Sequence, residues 1–156
     1  MKHKIHIRKT GVEDIPKLAR LMGDLGYPVS QEQMETRLNN IGSHPDYCTL
    51  VACIKDKVIG MAGFHTGLLY NTDGIHIRVI ALVTDSDYRG LGAGKKLMLA
   101  VEDFAEQLGA AGIVLNSGNR TEREDAHHFY LSLGYQAKST GFVKTLNLAA
   151  GIEVKE

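Results

Sequence analysis

The run IHIRVIALVTDSDYRGLGAGKKLM, residues 75–98, constrains this chain more than any other. Ile75 to Thr84 is β-branched and nearly continuously apolar from Val79 to Val83, as in a central strand buried on both faces. Three glycines follow within five residues, Gly90, Gly92 and Gly94. Then Leu97, Val101, Phe104 and Leu108 fall on one face of a helix of about five turns. Glycine weakens a helix, so its clustering at a helix start needs a reason in the backbone. The first amides of a helix lack internal partners and lie at the positive end of the macrodipole. Glycines let successive N–H groups converge and a bulky anion come close. A strand, a glycine turn and a helix in this order therefore predict a phosphate or pyrophosphate cradle.

The charges agree. Acidic residues are favoured in a first helical turn, yet the opening turns here carry Lys95 and Lys96 and no carboxylate before Glu102. Two phosphate motifs are excluded by spacing. A P-loop needs glycine five residues before Gly94 and a hydroxyl after Lys95, but Arg89 and Lys96 stand there. A dinucleotide fingerprint needs glycine at Lys95 or Leu97. What the residues do match is R-x-x-G-x-G, through Arg89, Gly92 and Gly94.

The remaining chain alternates strands and helices. His3–Lys9 predicts a strand, and Thr10 with Glu13 a capping box ahead of a helix through Ile15, Leu18, Met22 and Leu25 to Gly26. Ser30 with Gln33 predicts a second box, opening a helix that ends at Gly42. Tyr47–Ile54 and Val58–His65 read as a hairpin about a turn at Lys55–Lys57, and Gly67–Gly74 as a loop. Ile113–Leu115 predicts a buried strand. Thr121 with Glu124 predicts a third box, with Ala126, Phe129, Tyr130 and Leu133 on one helical face and a stop at Gly134. Tyr135–Lys138 and Gly141–Leu148 predict two final strands, and residues 149–156 a tail. This order fits one mixed α/β sheet with helices on both faces, as a single domain over residues 1–148.

Composition narrows the function class. The formal net charge is zero, which argues against a general nucleic-acid binder. No apolar run approaches the roughly 20 residues of a membrane span, and the first ten residues lack a signal-peptide core. A cytoplasmic location without membrane contact is the expectation. Cys48 and Cys53 are five apart in one strand, on opposite faces, so they read as two buried thiols and not as a disulfide. The seven histidines are scattered without ligand spacing, so no metal site is predicted.

The segment LVTDSDYRGLGAGKKLM resembles the acetyl-CoA-binding motif of the GNAT N-acetyltransferase superfamily. REDAHHFYLSLGY resembles that superfamily's second signature, built around N-x-x-A-x-x-F-Y-x-x-x-G-F/Y. The order of elements agrees over nearly the whole chain. The resemblance implies a GNAT-like α/β fold with a mixed, mostly antiparallel sheet of about six to seven strands. It implies acetyl-CoA as cosubstrate, without a metal. Leu82, Val83 and Thr84 match the strand end whose backbone receives the thioester and pantetheine arm, next to an expected bulge. Arg89, Gly90, Leu91, Gly92, Ala93, Gly94 and Lys95 match the pyrophosphate cradle. Tyr130 matches the tyrosine that protonates the departing thiolate. Arg123 stands where the superfamily usually has a CoA-contacting asparagine. A homodimer is a further implication.

Acyl transfer to an amine needs a neutral nucleophile, a donor near the sulfur and an N–H for the carbonyl oxygen. Tyrosine is still protonated at neutral pH and can donate. The usual glutamate base has no counterpart, since the strand at Ile113–Leu115 runs into Asn116 and Ser117. His76, His65 or a water chain are the alternatives. The acceptor side is expected near the first two helices, where Asp24, Tyr27 and Gln31 lie, with Tyr70 and Asp73 in the neighbouring loop. Arg78, Arg120 and Arg123 could read an anionic substrate or stay on the surface. The run SGNRTEREDAHHFYLSLGY most resembles the small-molecule branch, which predicts a small primary amine as acceptor. Two alternatives stand beside this reading: a protein N-terminal or lysine acetyltransferase, and a CoA-binding sensor or partner-binding module without turnover.

Overall fold

Five strands form the sheet in the order β1-β2-β3-β4-β5. They are β1 (Ile5–Lys9), β2 (Tyr47–Ile54), β3 (Lys57–Leu68), β4 (Ile75–Thr84) and β5 (Ile113–Leu115). The structure is a computed structural model and describes residues 4–117 and 124–146. Its contacts divide the chain into two units, residues 1–114 and 115–156. β1 through β4 pair antiparallel in succession. The β2–β3 turn is tight, with Ile54 opposite Lys57 and Lys55 in the left-handed region at φ 54°.

Helices cover both faces of this sheet. On one face α1 (Ile15–Leu25) and α2 (Gln31–Gly42) pack Leu18, Leu21 and Met34 against Val51, Met61 and Val83. These three strand residues lie directly opposite one another across β2, β3 and β4, so they share a face. On the other face α3 (Ala93–Gln107) buries Leu97, Met98 and Val101, and its Phe104 meets Phe64 edge-on at 5.3 Å. The predicted Ser30–Gln33 box is present. Gln33 N–H donates to Ser30 Oγ at 3.1 Å, and Ser30 N–H donates to Gln33 Oε1 at 3.0 Å. Cys48 and Cys53 are free thiols on opposite faces; Cys53 is buried beside α1, whereas Cys48 is only half-buried.

The start of α1 departs from the expectation. Asp14, not Glu13, is the acid that fastens this turn. Its carboxylate accepts from Gly11 N–H at 2.8 Å, Thr10 Oγ1 at 3.1 Å and both terminal nitrogens of Arg8 at 2.8 and 2.9 Å. A short 3-10 turn, Val12–Asp14, shifts the acid by one position, so the T-x-x-E spacing misassigns it.

β3 runs to Leu68, beyond the predicted His65, because Thr66, Gly67 and Leu68 keep pairing with β4. β4 is not buried on both faces throughout, since Ile80 is 48 % exposed. The second unit contains α4 (Glu124–Ser132), stopped as expected by Gly134 at φ +94°. Residues 135–146 form no strand, so the described sheet has five strands and not six to seven. An alternating pattern becomes a strand only where a neighbour takes its amides, and here Phe142 and Leu146 are exposed at 93 % and 85 %. Thr121 and the tail 149–156 lie outside the described residues.

Candidate active site

The glycine cluster adopts the backbone its composition demands. Gly90 and Gly92 are both left-handed, at φ +82° and +89°, and Gly92 is the residue that caps α3. An L-side chain there would strain the turn. The first intrahelical bond runs from Lys96 N–H to Gly92 O at 3.0 Å, which leaves the amides of Ala93, Gly94 and Lys95 without an intrahelical acceptor. No side chain caps this helix, and its first turn holds no acid. Arg89, Lys95 and Lys96 are exposed around it. Three converging amides, two left-handed glycines and exposed cations form a donor set that fits a diphosphate.

An ion pair holds the cradle from beneath. Asp85, 1 % exposed, sits at the C-terminal end of β4 and is bound by the Lys17 ammonium of α1. Its other oxygen accepts from Asp87 N–H at 2.9 Å, and Tyr88 N–H donates to its carbonyl at 2.9 Å. Burial would raise the Asp85 carboxyl, but the Lys17 bond and the Asp87 amide outweigh it and hold it below the usual carboxylate range. Outside this pair, Arg20 meets Asp87 at 3.3 Å, and the Lys57 ammonium lies 4.8 Å from the Tyr88 ring centre. A Cβ on Gly60 would come 3.1 Å from Val83 O and 3.3 Å from Leu97 Cδ1, so glycine lets α3 seat closely on the end of β4.

The strand end is shaped for a ligand backbone. β3 pairs Gly60 with Thr84, Met61 with Val83 and Ala62 with Leu82. A bulge follows: Gly63 faces Ala81 and Phe64 faces Val79, so Ile80 is the extra residue. β5 is three residues long beside a ten-residue β4, with Ile77 N–H donating to Gly112 O at 3.0 Å. It reaches only partway, leaving the outer edge at Leu82–Thr84 without a strand partner among the described residues. An extended amide-bearing ligand can complete such an edge.

Within the first unit, His76 is set apart from the strand end. His76 lies six positions before Leu82, about 20 Å by ordinary strand rise. The structure groups it with Arg78 and His65, not with Leu82–Thr84. Its ring packs over Gly67, and its Nδ1 is buried without a hydrogen-bond partner among the described residues. Asp24, Gln31, Tyr70 and Asp73 are exposed, and Tyr27 is half-buried. In the second unit, Tyr130 is half-buried on α4, with its ring centre 5.4 Å from Phe129 and 6.2 Å from Tyr135. Arg120 and Arg123 lie outside the described residues. A cleft of about 410 Å³ opens between the C-terminal end of α2 and the β1–β2 edge, and none of the cradle residues lines it.

Sequence reasoning missed Lys17 and Asp85. The D-S-D spacing ahead of Tyr88 is a capping signal that could have marked Asp85. Its partner 68 residues earlier leaves no local trace. Among the described residues no group of three or more His, Cys, Asp or Glu side chains could hold a metal, and no helix is long and apolar enough to cross a membrane.

The sequence model of the Acetyltransferase (GNAT) family matches residues 15–135. No curated protein matches the chain. Among solved structures it is similar to a GNAT family acetyltransferase of Staphylococcus aureus, with 33 % identity over 91 % of this chain and 98 % of that one, at a TM-score of 0.78. Glucosamine-6-phosphate N-acetyltransferase of Arabidopsis thaliana shares the fold at 23 % identity, covering 92 % and 99 % of the two chains, with a TM-score of 0.76. So does an aminoglycoside acetyltransferase from an uncultured soil sample, solved with sisomicin. It is 19 % identical, over 92 % and 97 %, with a TM-score of 0.74.

Proposed function

Because this chain belongs to the GNAT acetyltransferase family, we propose that it moves the acetyl group of acetyl-CoA onto the primary amine of a small molecule by direct attack. The observation that carries the reading is the pair of left-handed glycines, Gly90 and Gly92, opening an uncapped α3 flanked by Arg89, Lys95 and Lys96. The amides of Ala93, Gly94 and Lys95 bind the diphosphate, and the exposed cations around them balance its charge. Gly90 and Leu91 complete the turn that aims these amides.

Bound acetyl-CoA supplies an acyl group already activated as a thioester. The backbone at Leu82, Val83 and Thr84 orients the pantetheine amides as a further strand would, and a backbone N–H at this strand end stabilises charge on the carbonyl oxygen. Tyr130 holds the proton that its phenol Oη gives to the leaving sulfur. His76 receives the amine's proton only through a chain of several waters, as the roughly 20 Å of strand between it and Leu82 requires. Arg123 adds a cation toward the cofactor. The small-molecule acceptor rests on the resemblance of residues 117–135 to that branch.

Calorimetry with coenzyme A, followed by release of free thiol from acetyl-CoA with a panel of amines, tests this. Binding heat together with amine-dependent thiol release supports it. Absence of heat at saturating coenzyme removes the cradle. Turnover confined to peptides moves the acceptor class.

A further inference from the structure

The bulge at Ile80 changes which side chains β4 presents. Beyond it, Arg78 stands opposite His65, and His76 opposite Gly67. His65 in turn stands opposite Tyr47 on β2. Side chains directly opposite in an antiparallel pair project to one side. Tyr47 and Val51, like His65 and Met61, are four positions apart in unbroken register, so they share a face. Tyr47, His65, Arg78 and His76 therefore occupy the α1/α2 face, past the apolar patch that those helices cover. Without the bulge, Ile77 and Val79 would fall there.

The row is fixed and underused. The Tyr47 ring centre is 4.8 Å from that of His65 and 5.7 Å from that of His44. His65 Nδ1 lies 3.2 Å from Thr66 O, which leaves Nε2 as the ring's other nitrogen. Arg78 is half-buried, yet its guanidinium makes no ion pair or side-chain hydrogen bond among the described residues. One step along, His76 keeps its buried Nδ1 unpartnered among them. A half-buried guanidinium opposite an imidazole, with no carboxylate bonded to it among the described residues, is complementary to an oxyanion.

We infer that Arg78 and His65 form the subsite that holds an oxyanion, phosphate or carboxylate, carried by the acceptor amine. The inference deepens the proposed acetyl transfer and rests on it for the amine. Arg78 lies two positions from the bulge and four from Leu82, about 13 Å by ordinary strand rise, a span that the long Arg78 side chain and a small amine bridge together. A neutral analogue leaves the guanidinium without a counter-charge, which is the basis of discrimination.

The test uses the whole protein and two matched pairs: O-phosphoethanolamine against ethanolamine, and β-alanine against β-alaninamide. Thiol release gives KM and kcat, and imidazole C–H resonances of His65 and His76 report binding without turnover. The expected result is a KM at least about tenfold lower for one oxyanion member of a pair. Arg78→Gln should raise that KM by a similar factor with a smaller change in kcat, and Arg78→Lys should restore part of it. The better pair separates phosphate from carboxylate. Equal KM within both pairs overturns the inference while leaving acetyl transfer standing. Imidazole shifts that vanish in Arg78→Gln, without turnover of any amine, support the subsite and remove the acetyl-transfer reading. Neither shifts nor turnover removes both.

Discussion

Lys17 of α1 binds Asp85 at the end of β4, so the cradle's floor is tied to a helix on the far side of the sequence. Lys17→Met would leave the Asp85 carboxylate, 1 % exposed, without its cation. Breaking a buried pair from one side costs about 3–5 kcal/mol, and the low end applies because Lys17 keeps 18 % exposure. Urea unfolding should show that loss, and calorimetry a weaker coenzyme A affinity. Lys17→Arg should recover part of both. Unchanged affinity at reduced stability would confine the pair to folding.

Acid should unfold this protein through two named carboxylates. Asp14 is held below its usual pKa of 3.8, first by the Arg8 hydrogen bonds and then by the Gly11 amide, against its burial. Burial, the largest single effect, would raise Asp85, but Lys17 and the Asp87 amide together outweigh it and hold it below the same value. A carboxylate depressed in the folded state contributes its full stability above the unfolded pKa and loses it as pH falls through the folded one. The melting temperature should therefore stay level down to about pH 4 and fall steeply below it. Asp14→Asn and Asp85→Asn should each lower the plateau and flatten the acid limb.

The glycines separate two physical demands. Gly92→Ala meets no atom within 4 Å but must hold φ +89°. It should weaken coenzyme A binding by more than about 1 kcal/mol through strain in the cradle, measured by calorimetry. Gly60→Ala is opposite in kind: the backbone carbonyl of Val83, 3.1 Å away, cannot yield as a flexible side chain would. It should cost about 1–3 kcal/mol of stability by overpacking, read from urea midpoints.

Tyr130→Phe removes one hydroxyl and keeps the ring against Phe129 and Tyr135. Turnover should fall by roughly 10²–10⁴-fold, the range of a lost general acid, with coenzyme A affinity nearly intact. Wild-type kcat would take the proton role away from Tyr130.

Much was legible from residue order alone. The hairpin, the Ser30 box, the glycine turn and the helix after it were all readable, because each depends on contacts or torsions within a few residues, whereas the sequence did not show that Gly90 and Gly92, and not Gly94, are the left-handed ones. Tertiary structure decided the rest. Whether 135–146 became strand depended on a partner for its amides, and Asp14 displaced Glu13 because Arg8 of β1 could reach it. Asp85 acquired its place from a lysine 68 residues away. The bulge at Ile80 turned Arg78 and His76 onto the face of His65. A sequence encodes torsional preference and apolar period locally, whereas charge pairing, strand partnership and register depend on what the rest of the chain brings alongside.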